Sequence, residues 1–217
     1  MSGRMSRADR QRWASARTLA DLGELTAQWI EGRIGSQPGY YGPSDIEDPA
    51  LIPVLARLNR AGFITECSQP GHDGTGYDGS RVQQRAAVEG YAPEPVALRL
   101  LFAAQPAGMT VIAYPPSSLP RREYQDERAL CVTRHDGDPD CPDRVDGWCQ
   151  ETWFGSQVPR RHIRSRRIGY GICHRDAVKA LCSAWQVTII DPEWGRDLSP
   201  LWDVLDAAIR PAPRMMP

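Results

Sequence analysis

The reading of two stretches decides the fold: LNRAGFITECSQPG at residues 58–71, and QQRAAVEGY at residues 83–91 after a glycine-rich interval. Upstream, Asp48 suits a helix N-cap and Pro49 the first helical position, and Leu51, Ile52, Leu55 and Leu58 recur at helical spacing. That spacing predicts one buried helical stripe. Gly62 falls where a helix needs a left-handed residue to stop, and Phe63 to Ser68 suits a short strand. Gln69 to Gly79, with Gly71, Gly74, Gly76 and Gly79, reads as a loop, and Gln84 to Tyr91 reads as a second strand.

Working outward, residues 1–16 carry Arg4, Arg7, Arg10 and Arg12 with little apolar content and read as a flexible basic arm. Thr18 with Asp21 resembles a capping box, and Leu19, Leu22, Leu25, Trp29 and Ile30 form one helical face ending at Gly32. Ile34 to Ile46 is an irregular, turn-rich connection. Beyond the central stretch, Pro93 and Pro95 open an apolar helix, and Met109 to Tyr114 and Ala129 to Arg134 read as strands. Asp136 to Gly147 is a polar surface loop. Thr152 to Val158 and Ile163 to Ile172 read as two more strands around a basic corner at Pro159 to His162. A helix from Arg175 to Ala184, a strand from Gln186 to Ile190 and a helix from Pro200 to Ile209, capped by Ser199, complete the pattern. These elements predict a single mixed α+β domain over residues 17–210, with one or two sheets flanked by four or five helices, and a Pro-rich tail at 211–217.

Composition bounds the function. A net charge of −1 supplies no global field to recruit nucleic acid or an anionic membrane. Of 26 basic residues only Lys179 is lysine, so an isolated arginine is weak evidence of a role. The sequence has neither a secretory leader nor a run long enough to span a bilayer, which leads us to expect a cytoplasmic protein. Its six cysteines are then expected to be reduced, with no structural disulfide.

No motif singles out a reaction. Cys131, His135, Cys141 and Cys149 share one polar region, but the chain has no C-x-x-C pair, and adjacent Cys173 and His174 suit one tetrahedral site poorly, so no metal is expected. A cysteine paired in space with His72, His135, His162 or His174 is a conceivable nucleophile, yet nothing selects one pair. There is no G-x-S-x-G, Walker loop or dinucleotide fingerprint. The run Arg160, Arg161, His162, Arg164, Arg166 and Arg167 is the densest positive cluster, and reads either as a phosphate-binding face or as a charged edge strand.

The central stretch resembles the C-terminal regulatory domain of eukaryotic-type methylenetetrahydrofolate reductase. That domain carries G-F-L-T-x-N-S-Q-P and, after a loop, Q-K-A-Y-L-E, matched here by Gly62-Phe63-Ile64-Thr65, Ser68-Gln69-Pro70 and Gln84-Arg85-Ala86-Ala87-Val88-Glu89. The likeness extends to the segment after Trp29 and to Trp185–Asp191 followed by Leu201-Trp202-Asp203-Val204-Leu205. The resemblance implies a domain that binds S-adenosylmethionine or S-adenosylhomocysteine. The family's catalytic barrel has no counterpart here, so neither flavin nor reductase activity is expected. On that resemblance Thr65 and Ser68 occupy hydroxyl positions that contact the ligand, and Glu47 matches an acidic contact. Asp48 replaces a contacting threonine, and Gly169 replaces another, losing a polar contact. From the residues alone, Thr65 also reads as an ordinary β-former and Ser68 as a turn residue. Gln84 and Glu89 read as buried hydrogen-bonding residues rather than ligand contacts. The function expected is binding or sensing of an adenosyl metabolite, with a homodimer or protein partner admitted. The alternatives are an enzyme acting on an adenosyl or nucleoside substrate through the Cys67–Asp78 region, and a nucleic-acid or protein interaction module using the Arg160–Arg167 face.

Overall fold

The computed structural model describes residues 4–46, 48–116, 129–164, 170–197 and 199–210. Helix α1 (Arg7–Ser15) begins at Ser6, whose hydroxyl accepts from the Asp9 amide, and α2 (Leu19–Ile30) starts in the expected capping box of Thr18 and Asp21. A 3-10 turn (Pro49–Leu51), capped by Asp48, runs into α3 (Ile52–Arg60). Gly62, at φ 99°, then reverses the chain into β1 (Ile64–Gln69). β2 (His72–Thr75) and β3 (Arg81–Gln84) form a hairpin, and β4 (Ala87–Ala92) leads to α4 (Glu94–Ala104) and β5 (Thr110–Tyr114). There follow β6 (Leu130–His135), β7 (Arg144–Val145), β8 (Trp148–Phe154), α5 (Arg160–Arg164), a 3-10 turn (Tyr170–Ile172), α6 (Arg175–Cys182), β9 (Trp185–Ile190) and α7 (Leu201–Ile209).

The strands form two antiparallel sheets within one compact α+β domain, ordered β1-β4-β9-β5 and β2-β3-β6-β8-β7. Strand alternation divides the first sheet's work between its faces. Val88, Ala92, Val187 and Ile189 join Leu55 and Leu58 of α3, Leu100 of α4 and Leu205 of α7 in the main core. On the opposite side Ile64 and Tyr91 pack with Trp13, Leu22, Tyr170 and Leu181, while Ala87 and Ile190 meet Val132 and Phe154 of the second sheet.

Polar side chains fasten the sheets together. Buried Gln69, at the end of β1, donates to the carbonyls of Arg85 (3.0 Å) and Val132 (2.8 Å) and accepts from the Thr133 hydroxyl (3.2 Å). Glu89 accepts from the Gly155 amide and the Thr188 hydroxyl, both at 3.1 Å, which is the structural role its sequence context suggested. On the second sheet arginines and tryptophans alternate. Arg134 lies 4.3 Å from the Trp148 ring centre and 4.1 Å from that of Trp194, with Arg85 4.2 Å from Trp194 and Arg81 5.6 Å from Trp148. These cation–π contacts hold the 191–197 segment and the β7–β8 hairpin to the sheet.

Several sequence expectations are corrected. The flexible arm gives way at Arg7 to α1, because Trp13 is fully buried and its indole N–H donates to the Ser36 carbonyl at 2.9 Å. The single strand expected over Gln84–Tyr91 is two, since the chain crosses from one sheet to the other at Arg85–Ala86. The expected loop after Gln69 contains β2, and the one after Asp136 contains β7. The strand expected from Ile163 is helical at α5 and at the 3-10 turn Tyr170–Ile172, so an edge strand protected by charge is not what Arg160–Arg164 form. Seven α-helices occur among the described residues, against four or five expected. Cys141 and Cys149 are joined in a disulfide (Cα–Cα 5.8 Å) that spans the β7–β8 hairpin, against the expectation that all six cysteines are reduced. Hairpin geometry brings the two cysteines into reach, whatever the spacing suggests about metals. The tail 211–217 lies outside the described residues.

Candidate functional site

β1 is an edge strand, and a cleft of about 590 Å³ opens along it. Thr65 to Gln69 form one wall, Gln37, Tyr40 and Ser44 to Ile46 a second, and Gln84, Thr133, Glu151, Thr152 and Phe154 of the other sheet a third. This volume suits a small metabolite. The outer wall is pinned from α2, where the Trp29 indole donates to the Gly42 carbonyl at 2.9 Å and the ring meets Tyr40 edge-on at 6.0 Å. From α1, Trp13 holds the same segment through Ser36. The helix that sequence reasoning overlooked thus supports one wall of the cleft.

The cleft follows the unpaired edge of β1, so five consecutive residues, Thr65 to Gln69, line it, and the strand carries a β-bulge there. Thr65 pairs with Gly90 and Cys67 with Glu89, leaving Glu66 as the extra residue. Gly90 permits the bulge, since a Cβ there would lie 2.1 Å from the Ile64 carbonyl oxygen. Thr65 and Ser68 both line the cleft, so the two residues singled out in the sequence share one wall. Buried Asn59 fixes Thr65: its Oδ1 accepts from the Thr65 amide (3.1 Å) and its Nδ2 donates to Thr65 Oγ1 (2.8 Å). Among the described residues the Thr65 hydroxyl hydrogen has no acceptor, which leaves it to a ligand. Across the cleft, Ser44 Oγ is buried and, among the described residues, makes no hydrogen bond.

Asp48 lines an adjoining cavity of about 690 Å³ with Pro70, His72, Tyr77 and Asp197, and the two cavities share Gln84. Glu47 and Gly169 lie outside the described residues. In the basic run, Arg160 turns inward to donate to the Ala184 carbonyl at 2.9 Å, and burial lowers its pKa. Arg166 and Arg167 lie outside the described residues.

The residue that sequence reasoning missed is Glu66. Its Oε1 accepts from the hydroxyl of buried Tyr170 at 2.7 Å. Burial by the surrounding protein, reinforced by the charge of Glu89, pushes its carboxyl up to about 7 despite that hydrogen bond. Its available signal was an acid between Thr65 and Cys67 in an otherwise ordinary strand. Cys67 retains solvent contact, but the cleft wall desolvates its thiol and Glu89, Glu66 and Asp45 oppose its ionisation, pushing it to about 12. A thiol so protonated is a poor nucleophile at neutral pH. Among the described residues no group of three or more His, Cys, Asp or Glu side chains is arranged to hold a metal ion, and the disulfide consumes two of the candidate ligands. No described helix is long and apolar enough to cross a membrane.

Together, fold and cleft define a two-sheet α+β domain with a metabolite-sized cavity at an edge strand. The chain belongs to a family described as a domain of unknown function (DUF6919), whose profile matches residues 8–212. No curated protein matches the sequence.

Proposed function

We propose that this chain is a small-ligand-binding protein without reductase activity, and that the cleft along β1 takes S-adenosylmethionine, S-adenosylhomocysteine or a related adenosyl metabolite. The observation that carries the reading is the meeting of Thr65 and Ser68 on one cleft wall, opposite a Ser44 hydroxyl that has no partner among the described residues. Such hydroxyls both donate and accept, which suits an amino-acid tail bearing a carboxylate and an ammonium. Trp29, Tyr40 and Phe154 supply the apolar surface that a nucleoside requires. A nucleophilic-cysteine enzyme gains no support from a thiol held in its protonated form.

Calorimetric titration with each ligand tests the proposal. Saturable binding that weakens at least about fivefold in both Ser44→Ala and Ser68→Ala is expected, loss of one good hydrogen bond being worth about 1 kcal/mol. Thr65→Ala is a poorer probe because it also removes a partner of Asn59. Folded protein that gives no heat with either ligand refutes the reading.

A further inference from the structure

The charge of the cleft carries the reading further. Among the described residues its lining includes three acids, Asp45, Glu66 and Glu151, and neither arginine nor lysine. Among the described residues Glu66 has no cationic partner within ion-pair distance, and Tyr170 donates its only hydrogen bond. The titratable groups facing it are Tyr170 from the 3-10 turn, Glu89 from β4 and Cys67 beside it, with Tyr91 of β4 coupled to both Glu66 and Tyr170. Arg160 acts on Tyr91 rather than on Glu66. Ser44 adds an independent sign of an occupant: its buried hydroxyl has no partner among the described residues, which is costly unless something in the cleft completes it. Tyr40 and Trp29 offer the aromatic surface that favours a cation lacking N–H donors.

We infer that the cleft is charge-selective: it takes a sulfonium, or another positively charged form of its ligand, in preference to the neutral thioether, and releases the proton of Glu66 in doing so. This rests on the proposal that the cleft is the ligand site. Coulombic attraction favours the ionised carboxylate once a cation stands beside it, so the proton passes to the buffer as the ligand enters. A neutral thioether offers no such return for ionising Glu66. The carboxyl's position near neutrality makes the exchange occur in the range where it is most readily measured.

The test is calorimetry of the whole chain with S-adenosylmethionine and S-adenosylhomocysteine, run at about pH 7 in phosphate and in imidazole, whose ionisation heats differ. Wild-type protein should bind the sulfonium more tightly and release about half a proton, with affinity rising about tenfold from about pH 6 to about pH 8. Glu66→Gln should abolish the release and flatten that rise while still binding the thioether, which separates Glu66 from the ligand's own amino group. Equal affinity for the two ligands, or sulfonium binding whose heat does not depend on the buffer, overturns the inference and leaves the ligand site standing. No heat from either ligand overturns the site and the inference with it.

Discussion

Replacing Glu66 by glutamine should stabilise the protein, and only at high pH. The carboxyl moves from an ordinary 4.5 to about 7 on folding, chiefly through burial. A raised carboxyl pKa means that the fold prefers the protonated form. Stability from this group is therefore complete below about pH 4.5 and is lost as pH rises through about 7. At about 1.4 kcal/mol per pH unit the loss reaches at most about 3 kcal/mol, since the side chain keeps some contact with solvent. Glutamine does not titrate, and its amide oxygen can still accept from Tyr170. Urea unfolding followed by tryptophan fluorescence, at about pH 5 and about pH 8, reads the difference directly, because every other titration is common to both proteins. Wild type and Glu66→Gln should be close at the lower pH, and the variant up to about 3 kcal/mol more stable at the higher. A stability difference that is the same at both pH values refutes the reasoning. A stabilising substitution in a cleft wall would also indicate that the native acid is kept for something other than the fold.

Removing the disulfide by Cys141→Ser with Cys149→Ser should lower stability by up to about 2.5 kcal/mol, the chain-entropy value for a sequence separation of 8, and should make unfolding indifferent to reductant. A wild-type protein whose melting temperature ignores reductant counts against the bond. Trp13→Ala should cost about 3–5 kcal/mol, as expected for a fully buried tryptophan, and should weaken ligand binding by freeing Ser36; a loss below about 1 kcal/mol would restore the flexible arm.

What could be read from the sequence was governed by local chemistry. Asp21 and Thr18 form their capping box, Gly62 takes the left-handed conformation, and β9 and α7 fall within a residue of their expected bounds, because each of these depends on neighbours in the chain. Thr65 and Ser68 were also legible as a pair. What escaped is set by contacts distant in sequence. One tryptophan turns an arginine-rich terminus into a helix, because the pocket that receives Trp13 is built by the 34–46 segment and the second core. The run from Gln84 to Tyr91 alternates like one strand, and only the partners on either side, β6 for β3 and β9 for β4, show that it serves two sheets. The same is true of the site. Strict alternation would divide Thr65 to Gln69 between the two faces of β1, yet all five line one cleft because it opens along the strand's unpaired edge, and Gly90 across the strand leaves room for the bulge at Glu66. Glycine in β4 therefore shapes the cleft from the neighbouring strand. A methyl group at Gly90 would meet the backbone of Ile64 and Thr65 and push β1 away, disturbing Thr65, Glu66 and Ser68 together.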